Sequence, residues 1–166
     1  MPNHGLRRLA RPADLAAVHA IYMHPEVVPY LGVDPAPLAE FEPVFAELLA
    51  SGAFFVVEKD GAVCGFHRAT RYKGRARHVA TLQTLAIDPH EKGSGLARAM
   101  VTEAIECLRA EGVKRVELLV EADNPRGVAF YRKLGFELEG CMKRAYKRAG
   151  DADYVDELIM ARWLED

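Results

Sequence analysis

The sequence predicts an α/β domain with the element order β-α-α-β-β-β-α-β-α-β-β, about seven strands and four helices, from three observations. An apolar run from Val79 to Ile87 ends in a glycine-containing turn and passes into apolar positions at Leu96, Met100, Val101, Ile105 and Leu108. A β-branched and apolar run giving way to a spacing of three to four reads as strand, tight turn and helix. Asp60-Gly61 separates two β-branched and aromatic runs, the pattern of a hairpin. Asn124-Pro125 opens a third pattern that closes at Gly135, with Asn to cap a helix, Pro for its first turn and Gly just past its end.

The elements follow in order. Leu6-Arg7-Arg8-Leu9 reads as a short first strand. Pro12 suits a first helical turn, and Leu15, Val18, Ile21 and Tyr22 repeat at helical spacing behind it. His24-Pro25 and Val28-Pro29 stop that helix, because a residue before proline is pushed out of the helical region, and His24 to Pro37 is expected to be irregular. Leu38, Phe41, Phe45, Leu48 and Leu49 form the face of a second helix that ends at Ser51-Gly52. Ala53–Glu58 and Ala62–His67 are the hairpin strands, Tyr72–Ala76 a basic loop, and Arg77–Ile87 the long strand before the glycine turn. The helix from Leu96 ends near Glu111-Gly112, Lys114–Glu121 is the next strand, and Asn124 caps the last helix. Glu137–Tyr146 and Asp153–Trp163 close the chain as two strands joined near Ala149-Gly150-Asp151.

Half of the 166 residues are apolar and 28% are charged, enough for one core, with no repeat or composition break; one domain is placed at 5–165. A net charge of −2 gives no basic footprint for nucleic acid. No signal-peptide core follows Met1-Pro2-Asn3-His4, and the longest apolar stretches are too short to span a bilayer. Cys64, Cys107 and Cys141 are odd in number and far apart, so no disulfide framework and a reducing, cytoplasmic setting are expected. The six histidines show no metal spacing, and no metal is expected.

The chemistry begins at Leu85 to Arg98, L-A-I-D-P-H-E-K-G-S-G-L-A-R. Gly93 and Gly95 permit backbone angles closed to other residues, and the first amides of a helix lack internal partners. With the helix dipole, such a turn suits a phosphate or pyrophosphate, and Lys92 and Arg98 add charge nearby. The alternative is a glycine turn that simply starts a helix. A P-loop spacing is absent, and the dinucleotide fingerprint fails because Arg98 stands at its third small position.

The stretch His90-Glu91-Lys92-Gly93-Ser94-Gly95 resembles motif A of the GNAT acetyltransferases, [QR]-x-x-G-x-[GA], departing from it at His90. Asn124 to Phe136 closely resembles motif B of the same family, N-x-x-[AG]-x-x-[FL]-Y-x-K-x-G-F, and the element order is similar over essentially the whole chain. The resemblance implies the GNAT acyl-CoA N-acyltransferase fold, a central twisted mixed sheet, with acetyl-CoA as co-substrate. It implies that the strand before motif A splays from the strand before motif B, with the pantetheine arm in the opening. Carried over, the main chain of Leu85, Ala86 and Ile87 meets the pantetheine and the thioester carbonyl. His90, Glu91, Lys92, Gly93, Ser94, Gly95, Leu96 and Ala97 then hold the pyrophosphate. Asn124 and Phe130 lie beside the cofactor arm, and the Tyr131 hydroxyl meets the departing sulfur.

A neutral amine must attack the thioester while pre-aimed donors meet the oxyanion. A tyrosine near 10 and a thiol near 8.5 make full proton transfer to sulfur uphill by about 2 kcal/mol, so Tyr131 is read chiefly as a hydrogen-bond donor. Its structural alternative is an aromatic packed at helical spacing from Gly127 and Leu134. The positions where relatives carry a basic Glu hold Thr81 and Leu119. Glu117, Glu121, His78, Gln83 or a water path remain for the base, the strand-end glutamates being expected in solvent. By resemblance the acceptor site draws on His24–Asp34 and Lys143–Glu157, with Glu26 or Asp34 for an ammonium group and Arg144 or Lys147 for a carboxylate; ordinary surface charge is the alternative. The expected acceptor is a small α-amino compound. A protein N-terminal acetyltransferase and a non-catalytic acetyl-CoA-binding module are the other readings, and a homodimer is compatible with the resemblance.

Overall fold

β1 (Leu6–Leu9), β2 (Phe54–Lys59), β3 (Ala62–Arg71), β4 (Val79–Ile87), β5 (Arg115–Glu121), β6 (Glu137–Tyr146) and β7 (Val155–Trp163) form one sheet in the order β1-β2-β3-β4-β5-β7-β6. It is mixed: β4 runs parallel to β5, whereas β1–β2, β2–β3, β5–β7 and β6–β7 are antiparallel. The helices are α1 (Leu15–Tyr22), α2 (Leu38–Ala50), α3 (Leu96–Ala110) and α4 (Pro125–Lys133). This computed structural model describes residues 5–164; Met1–His4 and the expected domain end at residue 165 lie outside the described residues.

The stretch from His67 to Val79 differs from the sequence reading. β3 continues past His67 to Arg71 because backbone pairing carries it, Phe54 opposite Arg68 and the Tyr72 amide on the Val79 carbonyl at 3.1 Å. Polar side chains from Arg68 onward hid that extension. A single 3₁₀ turn, Gly74–Ala76, then delays the start of β4 to Val79.

The described residues divide into two compact units, 5–69 with 84–104, and 70–83 with 105–164. In the first, Val18, Ile21 and Tyr22 of α1 meet Phe41 and Phe45 of α2 over Phe54, Val56 and Phe66. The Tyr22 ring stacks on Phe66 at 5.6 Å and tilts against Phe41 at 4.9 Å. Aromatic pairs of this kind contribute about 1 kcal/mol beyond area burial. Arg8 on β1 fixes the entry to α1 by holding both oxygens of buried Asp14, at 2.8 and 2.9 Å, and Glu58 at 2.9 Å. Asp14 also accepts the Arg11 amide, and the Arg8 guanidinium holds its carboxyl below the usual range.

A second cluster of this unit seats the start of α3: Leu96 and Met100 pack with Val57 and Cys64 beside Leu85 and Ile87. Gly65 makes room, since a Cβ there would stand 3.1 Å from the Ala86 carbonyl oxygen and 3.3 Å from the Met100 sulfur. The Cys64 thiol donates to the Val57 carbonyl at 3.2 Å, and burial pushes its pKa up, so it behaves as a core residue.

The second unit is built on a seven-residue antiparallel ladder between β5 and β7, from Arg115 opposite Trp163 to Glu121 opposite Glu157. Val116, Leu118 and Val120 alternate into its core with Leu134, Phe136, Met160 and Leu164. The Arg162 guanidinium donates to the Leu134 carbonyl at 3.0 Å and ties the end of α4 to β7.

Candidate active site

The glycine turn belongs to the first unit. β4 ends where the Asp88 amide donates to the Cys64 carbonyl at 2.8 Å, and a 3₁₀ turn, Pro89–Glu91, follows. Asp88 accepts both the His90 amide at 2.9 Å and the His90 ring at 2.8 Å, so the side chain at the departing motif position folds back onto the turn. Gly93 and Gly95 have φ of 77° and 84°, and nothing lies within 4 Å of a Cβ at either. The glycines are therefore required by backbone conformation, not by crowding. The Ser94 hydroxyl accepts the Leu96 amide at 3.2 Å. The amides of Gly93, Gly95, Ala97 and Arg98 have no acceptor among the described residues. Four unpaired donors at the start of a fifteen-residue helix are the arrangement a pyrophosphate needs. Gly95→Val is expected to raise the KM for acetyl-CoA about tenfold by straining this turn, kcat changing less, as steady-state kinetics would read it.

The charges expected here are distributed differently. Lys92 is ion-paired with Glu26, and Glu91 with Lys59 at 3.0 Å. Arg98 is exposed in the first turn of α3. The backbone, more than Lys92, is left to meet an anion.

Thr84 lies inside β4 at a φ of 47°, an outlier for a β-branched residue. Such a residue interrupts the alternation of the strand and re-aims the groups that follow, here Leu85, Ala86 and Ile87. Nothing in the local pattern of the sequence signals it. The registered pairing of β4 with β5 covers Val79–Thr81 against Arg115–Glu117, while β4 runs on to Ile87 and β5 to Glu121.

α4 and the end of β5, both in the second unit, bring the remaining candidates together. The Asn124 carbonyl oxygen of the side chain accepts the Gly127 amide at 2.9 Å, capping α4, and its amide meets the Glu121 carboxylate. A Cβ on Gly127 would stand 2.6 Å from the Asn124 side-chain nitrogen. Gly127→Ala is therefore expected to displace the cap and lower stability by about 1 kcal/mol, read by chemical denaturation. Tyr131 lies between Phe130 and Phe136, with ring centroids at 5.2 and 5.7 Å. Its hydroxyl has no hydrogen-bond partner among the described residues. Burial, with the Glu121 charge added, pushes its pKa above the ordinary value near 10, which corrects the unperturbed tyrosine assumed from sequence.

The base candidates separate clearly. Glu117 is held by Arg115 at 3.2 Å and accepts the Tyr72 hydroxyl at 2.9 Å. The His78 ring lies 6.3 Å from Trp163, Gln83 is exposed, and Thr81 is buried. Leu119 is half-exposed. Glu121, expected in solvent, is instead buried at 8% exposure; burial raises its pKa and Glu157 adds to the rise. This burial of a strand-end carboxylate beside the Asn124 cap is what the sequence could not show.

Of the acceptor candidates, Glu26 is taken up by Lys92. Asp34 is exposed and has an interaction of its own. In the second unit, Arg144 has a φ of 52° and donates its amide to Asp156 at 2.8 Å, and Lys147 lies 5.6 Å over the Tyr154 ring. A cleft of about 540 Å³ is lined by Ala122, Asp123 and the Asp151–Asp156 turn. Among the described residues no group of three His, Cys, Asp or Glu could hold a metal ion, and no helix is long and apolar enough to cross a membrane.

The model of the acetyltransferase (GNAT) family matches residues 15–136. The chain belongs to the GNAT acetyltransferase family. The L-amino acid N-acetyltransferase AaaT of Escherichia coli is 35% identical over 161 residues, 93% of this chain and 95% of that protein. The mycothiol acetyltransferase of Saccharomonospora viridis is 37% identical over 95 residues, covering 53% of this chain and 30% of that protein. The chain thus spans under a third of the length of the mycothiol acetyltransferases it matches. A GNAT superfamily phosphinothricin acetyltransferase from Sinorhizobium meliloti, solved in complex with acetyl-CoA, superposes with a TM-score of 0.75. It is 26% identical, over 97% of this chain and 89% of that one. The GNAT fold and the order of its elements are those expected from motifs A and B.

Proposed function

We propose that this GNAT acetyltransferase transfers the acetyl group of acetyl-CoA to the amine of a small α-amino compound, by direct attack in a ternary complex. The observation that carries the reading is the set of free amides at Gly93, Gly95, Ala97 and Arg98, built by positive-φ glycines at a helix start. The near full-length likeness to an L-amino acid acetyltransferase, and the likeness to a phosphinothricin acetyltransferase, favour a free α-amino acceptor.

In this reading His90 to Ala97 bind the pyrophosphate through the backbone, and the main chain of Leu85, Ala86 and Ile87 orients the pantetheine and polarises the thioester carbonyl. Asn124 and Phe130 lie beside the pantetheine arm. Tyr131 donates a hydrogen bond to the sulfur as negative charge develops on it.

A panel of amines with acetyl-CoA, read by thiol release, tests the proposal. Free L-amino acids should be acetylated with higher kcat/KM than peptides or unrelated amines. Preference for peptide N-termini would replace the acceptor by a protein N-terminus. Binding of acetyl-CoA with no thiol release for any amine would mean a binding module.

A further inference from the structure

We infer that Glu121 and Glu157 act together as the general base of this site, a carboxylate pair that takes the proton from the incoming ammonium group. The inference rests on the acetyl-transfer reading above.

The two residues form the last registered pair of the β5–β7 ladder. Side chains directly opposite on neighbouring antiparallel strands have Cβ atoms about 5 Å apart, close enough for two carboxyl groups to share a proton. Glu121 is buried and Glu157 half-buried. Like charges brought together out of water are unfavourable, and nothing in the packing of a surface sheet end requires them.

The titratable neighbours divide between those that raise the proton affinity of the pair and those that lower it. On β6, burial pushes the Tyr146 pKa up to about 12, with Glu121 and Glu157 adding to the rise and Arg148 opposing it. Arg148, which follows β6, reduces the effect on Glu121, but its guanidinium is engaged by Asp123 at 2.6 and 3.1 Å and donates to the Tyr146 hydroxyl at 3.2 Å. Asp123 is held in its charged form by that contact. On α4, Asn124 steadies the Glu121 carboxylate and Tyr131 senses its charge. Both carboxyls keep a raised proton affinity although Arg148 offsets part of the rise at Glu121, and Glu121 acts on the hydroxyl assigned to the leaving sulfur. The other strand glutamate, Glu117, is neutralised by Arg115.

The protons balance. The acceptor arrives as an ammonium ion and gives one proton to the ionised pair, which passes it to solvent. The neutral nitrogen forms the new C–N bond at the thioester carbon. Collapse breaks the C–S bond, and the second nitrogen proton ends on the sulfur beside Tyr131, giving an amide, free coenzyme A and one proton in solution.

The test is the pH dependence of kcat/KM for the wild type, Glu121→Gln and Glu157→Gln, with acetyl-CoA binding measured by calorimetric titration. Glu121→Gln should lower kcat/KM about tenfold near neutrality, a moderate loss because Glu157 remains. The deficit should close as the pH nears the amine's own pKa, where the base is no longer needed. Glu157→Gln removes the like charge, lowers the proton affinity of Glu121 and should move the acid limb to lower pH. Both variants should bind acetyl-CoA like the wild type. A pH-independent loss in Glu121→Gln, or limbs unmoved in both variants, overturns the carboxylate pair and leaves acetyl transfer standing. If Glu121→Gln does not fold, the position of the limb in Glu157→Gln decides alone. A wild type that neither binds acetyl-CoA nor acetylates any amine overturns the acetyl-transfer reading itself and the pair with it.

Discussion

Tyr131→Phe is expected to lower kcat about a hundredfold while leaving acetyl-CoA affinity nearly unchanged, the signature of an interaction made in the transition state only. The ring is held by Phe130 and Phe136, so removing one oxygen leaves the packing intact. A tyrosine of ordinary pKa already lies about 2 kcal/mol on the wrong side of a thiol for full transfer. Burial and the Glu121 charge push Tyr131 further in that direction, which keeps its hydroxyl protonated throughout the working range. In the proposed reaction it serves as a hydrogen-bond donor to nascent thiolate, and the proton follows from the nitrogen. A second result follows from the sign of the shift: kcat should show no alkaline fall through pH 10 attributable to Tyr131, because its ionisation lies higher. Rapid-mixing assays of wild type and variant from pH 6 to 10 check both statements. Equal kcat values would remove Tyr131 from the reaction and leave the fold untouched.

Acidification is expected to weaken the first unit through one histidine. His67 on β3 has no exposed surface, its ring stacks on Phe55 at 5.4 Å, and its Nε2 accepts from the Arg7 guanidinium at 3.2 Å. Arg7 also lies 3.5 Å over the Phe55 ring, so a cation already stands beside the stacked pair. Burial, and then Arg7, lower the His67 pKa to about 3. The unfolded chain, near 6.5, binds the proton first as the pH falls, so stability is complete above 6.5 and declines between 6.5 and 3. Between pH 7.5 and 5 the loss is about 2 kcal/mol at 1.36 kcal/mol per unit. Urea unfolding at the two values measures it. His67→Phe, which cannot be protonated, should lose about 2 kcal/mol less over the same interval, and an identical loss would show that His67 is not the group responsible.

Much of the fold was legible because its signals are local. The Asp60-Gly61 turn, with φ of 51° and 81°, joins β2 to β3 where the hairpin pattern placed it. Asn124, Pro125 and Gly135 bound α4 because a cap, a fixed φ and a left-handed exit are properties of single residues. The candidate site was legible only in part. Gly93 and Gly95 announce a left-handed turn before a helix, suited to an anion, but Lys92 is engaged by Glu26, sixty-six residues earlier in the chain. Thr84 was invisible, since a β-branched residue predicts extended backbone.

The sequence by itself determined the order of elements, the two motifs and the family, all of which depend on residues near one another in the chain. Only the tertiary structure decided which charges are engaged and which are held out of water. Strand register set Glu121 opposite Glu157, and folding took Glu121 out of water and, with burial first and the Glu121 charge second, raised the proton affinity of Tyr131. A side chain's charge state follows from the dielectric and the charges around it, and those are supplied by residues that only folding brings together.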